Sequence, residues 1–496
     1  MHLHEAAQAL HAAAVGADVA ITAVSTDTRN LPAGCLFVAL KGPRFDGHKF
    51  AAKALEQGAA AVMVAADAQM TISPAIVVKD TLQALGRLAA WHRGQMPAKV
   101  AAITGSNGKT TVKEMLAAIL AVEVGAEAAE DCVLATAGNL NNDIGMPLTL
   151  LKLTPQHRYA AIEMGMNHAG EIAYLTQIAR PDVALVNNAL RAHLEGLGSV
   201  EAVARAKGEI YAGLKEGGIA IVNADDPHAT LWRGLACPRK VISFGFSENA
   251  NVRILPGSRT VAGAAAPRQR DSSGEALQLT LDTPQGRIET TLQVPGEHNL
   301  RNAAAAASLA LALGIGVESI ASGLADYTGV KGRLQSHACI LGATLIDDTY
   351  NANPDSVLAA IQVLAARPGT RILVLGDMGE LGPDAANLHS EVGERARAAG
   401  IDRLLCLGEM TLHTVEAFGT NGMHFERIEE LLAEIECALA DEQPPRSENH
   451  LAAPRGGAMP ALGRPGGGPV TVLVKGSRFM QMERIVKSFM EADKCS

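Results

Sequence analysis

The chain has 496 residues, 48% of them hydrophobic and 19% charged, and its formal net charge is −9. This length exceeds what one hydrophobic core usually holds, so we expect several domains. The net charge argues against non-specific nucleic-acid binding. No apolar run reaches about 18 residues, which argues against a membrane span. Seven cysteines without a C-x-x-C pair argue against a disulfide framework or zinc site.

Residues 1–96 form the first predicted unit. The opening stretch MHLHEAAQAL has no Lys or Arg ahead of an apolar segment, which is unlike a secretory signal and favours a cytoplasmic location. GCLFVAL and AIVVKD predict short strands, and AAKALEQGAAAVMV predicts a helix that leads into a strand. TLQALGRLAAWHRG predicts a helix, after which Pro97 marks a break.

Residues 97–331 alternate between strands and helices. The strands KVAAIT, YAAIEMG, DVALVNN and GIAIVNADD are almost continuously apolar, which is typical of a parallel sheet buried on both faces. TVKEMLAAIL and GEHNLRNAAAAASLALALG predict helices. ALQLTLDTPQGRIETTLQV alternates around a glycine-centred turn and predicts an antiparallel hairpin attached to the parallel core.

Residues 332–496 begin within the linker GVKGRLQ and form a third predicted unit. Its strands ATLIDDTY, RILVLGDMGELG, DRLLCLG and VTVLVKGSR end in polar or glycine-rich turns, as in a nucleotide-binding α/β domain. Residues 258–275 and 441–469 lack periodicity, so we expect flexible loops without chemistry there. The predicted fold is therefore α/β with three domains: an N-terminal substrate domain, a central P-loop-type parallel-sheet ATPase domain and a C-terminal Rossmann-like domain.

The stretch TGSNGKTT, residues 104–111, lies between the predicted strand KVAAIT and the helix that follows. Its first glycine comes two residues later than in the usual phosphate loop, G-x-x-x-x-G-K-S/T. Backbone N–H groups at such a strand-to-helix turn bind oxyanions. Lys109 can reach the β- and γ-phosphates, and the Thr110 hydroxyl suits magnesium. On this stretch alone, an ordinary helix start that contains Lys and Thr remains an alternative.

Further motifs occur in order along nearly the whole chain. They are STDTRNLPAGCLFVALKGPRFDGHKF, AGNLNNDIGMPLTLL, AIEMGMNHAGEI, NNALRAHLEGLGS, ARAKGEIY, GEHNLRNAAAA, GVKGRL, DDTYNANPDS, LGDMGELG and LVKGSR. Together with TGSNGKTT, this series resembles the Mur ligase family, which shares the compact loop with folylpolyglutamate synthetase. NANP and KGSR resemble the branch that adds D-alanyl-D-alanine to UDP-N-acetylmuramoyl-tripeptide. The resemblance implies ATP-dependent amide formation through an acyl phosphate.

The resemblance also implies roles for individual residues. Catalytic roles fall on Lys109, Glu163, His193, Lys207 and Arg333, and the magnesium ligands, for two sites, would be Thr110, Glu163 and His193. Lys207 would be carbamylated by CO2 and support the second ion; a salt bridge or a phosphate contact is the alternative for this lysine. ATP would contact Gly105, Ser106, Asn107, Gly108, Lys109, Thr110, Thr111, Asn299, Asn302, Arg333 and Asp348.

Substrate contacts follow from the same resemblance. For the nucleotide-sugar the candidates are Thr26, Asp27, Arg29, Asp46, Gly47 and His48, and for the sugar or peptide they are Thr136, Asn139, Asn141 and Asn142. For D-alanyl-D-alanine they are Tyr350, Asn351, Asn353, Lys475 and Arg478. We expect a monomer. A neighbouring ligase of the family, a folylpolyglutamate-synthetase-like ligase, a P-loop kinase or NTPase, and a non-catalytic nucleotide-sugar binder remain alternatives.

Overall fold

The computed structural model describes residues 1–43, 45–262, 275–441 and 469–492. Within these ranges the strands form three main sheets that follow one another along the chain, plus one two-stranded hairpin. This arrangement confirms the predicted α/β fold. We refer to residues 1–96, 97–331 and 332–492 as the N-terminal, central and C-terminal units. The flexible loop predicted at 441–469 lies, apart from its two end residues, outside the described residues.

The N-terminal unit contains a five-stranded sheet. The sheet consists of β1 (Ala13–Val15), β2 (Val24–Ser25), β3 (Leu36–Val38), β6 (Ala61–Ala65) and β7 (Ala75–Val78). Strands β4 (Lys41–Gly42) and β5 (Phe45–Asp46) pair separately, and the helices are α1 (Leu3–Ala9), α2 (Ala51–Glu56) and α3 (Thr81–Gln95). The order is β1-β7-β6-β3-β2, with β1 antiparallel to β7 and the other neighbours parallel. Helix α3 begins after Asp80, whose carboxylate accepts hydrogen bonds from two backbone N–H groups of the first turn.

The central unit contains a ten-stranded sheet. Its strands are β8 (Lys99–Thr104), β9 (Val133–Ala135), β10 (Tyr159–Glu163), β11 (Val183–Val186), β12 (Ile219–Asn223), β13 (Lys240–Gly245), β14 (Val252–Ile254), β15 (Arg259–Ala262), β16 (Glu275–Thr283) and β17 (Gly286–Leu292). Its helices are α4 (Lys109–Val124), α5 (Ala129–Cys132), α6 (Gly145–Leu150), α7 (Glu171–Ala179), α8 (Leu194–Leu197), α9 (Val200–Gly208), α10 (Ala229–Ala236), α11 (His298–Leu313) and α12 (Val317–Asp326).

The central sheet combines a parallel core with an antiparallel end. Strands β9, β10, β8, β11, β12, β13 and β14 are parallel in that spatial order, and β16 joins β14 antiparallel. The predicted hairpin is confirmed as β16–β17. The loop predicted at 258–275 is wrong for residues 259–262, which form β15, and for residue 275, which begins β16 and pairs with β15. Residues 263–274 lie outside the described part of the chain.

Both faces of this sheet are covered, which explains its apolar strands. Along β8, Ala101 and Ile103 pack into one hydrophobic cluster with α4 and α11, whereas Val100 and Ala102 pack into another with α7 and α9. Helix α12 lies close to α4 because Gly323 has no side chain; a Cβ there would overlap the backbone of Ile119.

The C-terminal unit contains a six-stranded sheet. Its strands are β18 (Gln335–Ala338), β19 (Thr344–Asp348), β20 (Thr370–Gly376), β21 (Arg403–Leu407), β22 (Gly422–Phe425) and β23 (Val470–Lys475), and its helices are α13 (Pro354–Ala365), α14 (Ala385–Ala398), α15 (Thr411–Phe418), α16 (Ile428–Asp441) and α17 (Glu483–Ala492). The order is β18-β19-β23-β20-β21-β22, and only the β18–β19 pair is antiparallel.

The carboxyl ends of the central and C-terminal parallel sheets face each other. The loop after β8 contacts the segment after β19, and the segment after β11 contacts the first turn of α13. Carboxyl ends of parallel strands are where open α/β sheets bind ligands. In the described ranges, no helix combines the length and apolar character needed to cross a membrane.

Candidate active site

The segment between β8 and α4 has the geometry of a phosphate loop. Gly108 adopts a left-handed φ of 80°, and a Cβ at this position would overlap the amide side chains of Asn187 and Asn302. The Lys109 ammonium folds back over the loop and donates to the carbonyls of Gly105, at 2.7 Å, and Ser106, at 3.2 Å. Burial lowers the pKa of Lys109, and the negative charge of Glu163 opposes that shift.

A network of asparagine side chains holds this loop. Asn188 accepts a hydrogen bond from the Asn107 N–H at 2.9 Å, and the amides of Asn187 and Asn188 both donate to the Asn107 carbonyl. Asn187 also donates to Asn302, which in turn donates to Asn299 at 2.9 Å. The predicted ATP residues Asn299 and Asn302 are thus connected to the loop. Asn187 and Asn188 had no predicted role, although both occur in the motif NNALRAHLEGLGS.

The hydroxyl of Thr110 and the carboxylate of Glu163 form an oxygen cluster beside the loop. Thr110 Oγ1 donates to Glu163 Oε2 at 2.9 Å, and Asn141 donates to Glu163 Oε1 at 2.8 Å. Arg333, from the C-terminal unit, donates to Thr110 Oγ1 at 3.1 Å. The structure therefore brings four predicted site residues into direct contact at the boundary between the two units.

The donor set of this cluster fits a hard cation. Magnesium uses one or two protein carboxylates together with phosphate and water oxygens, so the Thr110 and Glu163 oxygens suit it. The parts of the chain that the structure describes contain no group of three or more His, Cys, Asp or Glu side chains arranged for a metal. A magnesium site here would therefore depend on nucleotide and water oxygens for most of its ligands.

His193 contacts the C-terminal unit. It precedes α8, adopts a left-handed φ of 58°, and places Nδ1 2.7 Å from Glu380 Oε2. The neighbouring backbone is joined as well, because the Glu195 N–H donates to the Glu380 carbonyl. Burial lowers the pKa of His193, and Glu380 acts in the opposite direction. Glu380 was not among the predicted site residues, and its only signal in the sequence is its position in the motif LGDMGELG.

Lys207 is a buried amine on α9. Its side chain is 1% exposed, and within the described residues no hydrogen-bond or ion-pair partner of its ammonium is found. Burial lowers its pKa well below the ordinary value, and the positive charge of Lys109 adds to this shift. The predicted alternative of a salt bridge is therefore not seen. Burial and the nearby positive charge thus both disfavour the charged form of this lysine.

On the C-terminal side, Lys475 is the central cation. It donates to Asp348 Oδ2 at 2.6 Å and to the Asn351 carbonyl at 2.9 Å. Burial raises the pKa of Asp348, while the positive charge of Lys475 opposes that shift. The guanidinium of Arg333 lies 4.3 Å from the centre of the Tyr350 ring. Strands β19 and β23 thus deliver predicted residues to one edge of their sheet.

Two further contacts join the central and C-terminal units. The side-chain amides of Asn107 and Asn353 exchange hydrogen bonds at 2.8 and 3.3 Å. Arg191 forms a bidentate pair with Asp355, at 2.7 Å for the shorter bond to Oδ1, and a bond of 2.5 Å to Glu391. Asn353 caps α13 and Asp355 lies in its first turn, so one helix end receives both connections.

A cavity of about 950 Å³ lies between these units. The predicted residues that line it are Ser106, Asn107, Gly108, Lys109, Thr111, Asn139, Asn141, Asn142, Glu163, His193, Asn299, Asn302, Arg333, Asp348, Tyr350, Asn351, Asn353, Lys475 and Arg478. Gly105, Thr110, Thr136 and Lys207 are not part of its lining. Thr110 and Thr136 are nevertheless hydrogen-bonded to Glu163, and Glu163 does line the cavity.

The six predicted nucleotide-sugar residues of the N-terminal unit are not in this cavity. Thr26 is half-buried, and Gly47 opens a short helical turn. Asp27 and Arg29 pair at 2.7 Å, which lowers the pKa of Asp27 to about 2. Asp46 pairs with His48 Nδ1 at 2.8 Å, while His48 Nε2 accepts from the Ala65 N–H. These contacts fix His48 in the N-terminal unit and leave its predicted substrate role a prediction.

Comparison with known protein families gives matches along most of the chain. The Mur ligase middle domain matches residues 103–310, the Mur ligase glutamate ligase domain matches residues 332–445, and the Mur ligase family catalytic domain matches residues 20–93.

Individual proteins match over almost their whole length. The chain is 44% identical to the UDP-N-acetylmuramoyl-tripeptide–D-alanyl-D-alanine ligase of Escherichia coli K12, over 97% of this chain and 96% of that protein. It is 35% identical to the enzyme of the same name from Bacillus subtilis, over 95% and 94%. Among solved structures, MurF from Acinetobacter baumannii has a TM-score of 0.83 and 34% identity over 99% and 98%. MurF from Thermotoga maritima in complex with ADP has a TM-score of 0.75 and 26% identity over 96% and 98%.

Proposed function

This chain belongs to the Mur ligase family, and we propose that it is the ATP-dependent, ADP-forming ligase that joins D-alanyl-D-alanine to UDP-N-acetylmuramoyl-tripeptide. The observation that carries the proposal is the likeness to the Escherichia coli ligase over both chains, since that protein's name gives both substrates. The ADP complex of the Thermotoga maritima relative supports the use of ATP. The reaction would serve peptidoglycan precursor synthesis in the cytoplasm.

In the proposed reaction, the terminal carboxylate of the tripeptide attacks the γ-phosphorus of ATP, and ADP leaves. The amine of D-alanyl-D-alanine then attacks the acyl carbon of the acyl phosphate, loses a proton, and displaces inorganic phosphate. Such chemistry depends on placing the carboxylate, phosphate and amine and on balancing negative charge. Lys109 would bind the β- and γ-phosphates, as its 2.7 Å contact with the Gly105 carbonyl supports. Arg333 would approach the γ-phosphate from the C-terminal unit, as its 3.1 Å contact with Thr110 Oγ1 supports.

The nucleotide would lie between the two units. The phosphate loop, Asn299 and Asn302 would bind it from the central unit, and Asp348 would meet the ribose from the C-terminal unit. In the structure Asp348 already pairs with Lys475, so ribose binding would share or replace that contact. Because both units contribute, ATP favours their closure, and closure excludes water from a hydrolysable acyl phosphate.

Thr110, Glu163 and His193 would hold Mg²⁺, in two sites. When bound, Mg²⁺ neutralises phosphate charge as it builds up in the transition state. The direct Thr110–Glu163 contact supports the first site. His193 is paired with Glu380 rather than with this cluster, so its role at the second site needs the Glu380 contact to open or be shared.

Lys207 would carry a carbamate. Its neutral amine attacks CO2, the N–C bond forms, and one proton goes to solvent; the product is an anion with two oxygens beside Lys109. The unpartnered amine and its lowered pKa support this proposal, because only the neutral amine reacts. Intact-mass analysis at saturating bicarbonate should show an added CO2 in the native chain and none in Lys207→Met. Free amine alone in the native chain would contradict the carbamate.

The remaining assignments concern the substrates. The domain bounds would be 1–96 for UDP-sugar binding, 97–331 for ATP and 332–496 for the dipeptide, in a monomer. Thr26, Asp27, Arg29, Asp46, Gly47 and His48 would bind the nucleotide-sugar; Thr136, Asn139, Asn141 and Asn142 the sugar or peptide; Tyr350, Asn351, Asn353, Lys475 and Arg478 the dipeptide. The residues assigned to the sugar or peptide and to the dipeptide line the cavity, except Thr136, and this position supports their assignment. Thr136 is connected to the cavity through its hydrogen bond with Glu163.

The function is tested by phosphate release from ATP with the purified chain, omitting each substrate in turn. We expect release only when ATP, the UDP-tripeptide and D-alanyl-D-alanine are all present, together with an amide product seen by mass spectrometry. Release that ignores the dipeptide would indicate another ligase of the family or an NTPase. Binding of the UDP-tripeptide without any ATP turnover would indicate a nucleotide-sugar binding protein.

A further inference from the structure

Lys113 is a buried cation that the proposed reaction does not use. It lies on α4, one helical turn after Lys109, and its side chain is 1% exposed. Its ammonium donates a hydrogen bond to the backbone carbonyl of Thr136 and lies 2.6 Å from the half-exposed carboxylate of Glu114. Burying an ammonium costs free energy unless its contacts offset that cost. The bond to the Thr136 carbonyl is one of the two contacts that offset this cost.

Thr136 is the point where the chain leaves the central sheet. It follows the three-residue edge strand β9, and its N–H donates to the Ala161 carbonyl at 3.0 Å. Its Oγ1 accepts a hydrogen bond from the Glu163 N–H, also at 3.0 Å. Since Lys113 binds the remaining carbonyl, every polar group of Thr136 is engaged. An edge strand of three residues has few ladder bonds of its own, so the bond from α4 fixes its end.

The contacts of Thr136 lead directly to the oxygen cluster. The Glu163 backbone is held by Thr136, and the Glu163 side chain contacts Thr110 on α4 and Asn141 on the loop that follows Thr136. Lys113 thus closes a ring of contacts from α4 through Thr136 and Glu163 back to α4. This ring includes the Thr110–Glu163 contact.

We propose that Lys113 is a positioning residue that, through Thr136, holds Glu163 and Asn141 against Thr110. The inference rests on the proposed function, in which these oxygens serve a divalent cation. It does not assign substrate contact to Lys113, which lies outside the cavity lining. Groups that support a first ligand typically change metal affinity or activity by about 10–100-fold when removed.

The test uses Lys113→Met, which keeps the length of the side chain and removes the ammonium. Lys99→Met is the matched control, because the Lys99 ammonium also donates to a backbone carbonyl, that of Leu313, at 3.0 Å, away from the cluster. Glu114→Gln removes the ion pair but leaves the bond to Thr136. Mn²⁺ affinity is measured by electron paramagnetic resonance in the presence of ADP, beside metal-free ADP affinity, the thermal midpoint, kcat and KM.

We expect Lys113→Met to weaken Mn²⁺ binding about 10-fold or more, with metal-free ADP affinity changed less than about 3-fold. Lys99→Met and Glu114→Gln should bind Mn²⁺ like the native chain. A folded Lys113→Met chain with native Mn²⁺ affinity and only a lower thermal midpoint would overturn the proposal. If Lys113→Met does not fold, Thr136→Val takes its place, because it removes the hydroxyl that accepts from the Glu163 N–H. Thr136→Val must then give the same loss of Mn²⁺ affinity. Native Mn²⁺ affinity in Thr136→Val would overturn the proposal.

This design separates the inference from the proposed function. The Mn²⁺ measurement needs neither the tripeptide nor the dipeptide, so a native chain that forms no amide would refute the function while leaving the comparison of variants readable. Conversely, a native chain that forms the amide, with Lys113→Met unchanged in Mn²⁺ affinity, would refute only the role of Lys113.

Discussion

Replacing Arg191 by alanine should loosen the contact between the central and C-terminal units. Its guanidinium forms two bonds to Asp355 Oδ1, at 2.7 and 3.1 Å, and one of 2.5 Å to Glu391. These side chains are 22–32% exposed, so their pairing is screened less than that of surface charges. The hydrogen bonds from Asp355 raise the pKa of Arg191, so the guanidinium stays charged at neutral pH.

The size of the effect follows from the burial of the pairs. An exposed pair contributes about 0.2–1 kcal/mol, whereas removing one partner of a buried pair costs about 2–5 kcal/mol. Two pairs of intermediate burial should together contribute about 2 kcal/mol, and without Arg191 the two carboxylates also repel each other. That free energy corresponds to a shift of about 30-fold in the equilibrium between docked and separated units.

Fluorescence energy transfer can measure this equilibrium. Cys237 in the central unit and Cys437 in the C-terminal unit are exposed and can carry the dyes, once Cys132 and Cys495 are replaced by serine. Arg205→Ala is the control, because Arg205 pairs with Glu201 at 3.0 Å on an exposed surface of α9. We expect Arg191→Ala to lower the docked population at low salt and Arg205→Ala to leave it unchanged. Equal docked populations in Arg191→Ala and the native chain would refute the reasoning.

Three more predictions concern single side chains. Burial lowers the pKa of His298 to about 4. Between pH 6.5 and 4 the unfolded state therefore binds more protons than the folded state, and the free energy of unfolding falls as the pH falls. The free energies of unfolding at pH 7.5 and pH 5 should differ by about 1–2 kcal/mol more in the native chain than in His298→Gln. In CO2-depleted buffer, where Lys207 is a free amine, Lys207→Met should raise the thermal midpoint by about 2–4 °C while ligation is lost, because it removes an unpartnered buried amine. Asn107→Ala should weaken ADP binding about 5-fold by calorimetry, since it removes the amide contact with Asn353.

Each of these has a contradicting result. Equal acid sensitivity in His298→Gln would mean that another group accounts for the loss of stability. A lower thermal midpoint in Lys207→Met would show that its amine has stabilising contacts. Native ADP affinity in Asn107→Ala would show that the phosphate loop keeps its form without Asn353.

The sequence predicted the fold where local patterns were long. The apolar runs of β8, β10, β11 and β12 indicated a parallel sheet, and alternation in residues 276–294 indicated the hairpin. It did not indicate β9, because three residues carry no measurable period and the strand depends on pairing with β10 and on the bond from Lys113. Strand β15 was not indicated for a similar reason, since it has only four residues and the stretch between it and β16, GAAAPRQRDSSG, shows no strand pattern.

The site shows the same division. The phosphate loop and Glu163 could be predicted because the loop follows the recognisable strand β8 and Glu163 ends the recognisable strand β10. The carboxyl ends of parallel strands meet at one edge of a sheet. Asn188, Arg191 and Glu380 were missed as site residues, because their contacts join segments far apart in the chain; Arg191 and Asp355 are 164 positions apart. The roles of the N-terminal candidates remain predictions, because the structure gives them partners within their own unit.

The most direct test of the account follows the oxygen atoms of the tripeptide carboxylate. With ¹⁸O in that carboxylate, the acyl phosphate keeps one labelled oxygen between carbon and phosphorus, and attack by the dipeptide amine on the carbon leaves this oxygen on phosphate. Mass spectrometry of the released phosphate should therefore show one ¹⁸O for each amide formed. Phosphate without the label, released while ATP is consumed, would contradict the acyl phosphate and with it the proposed ligase mechanism.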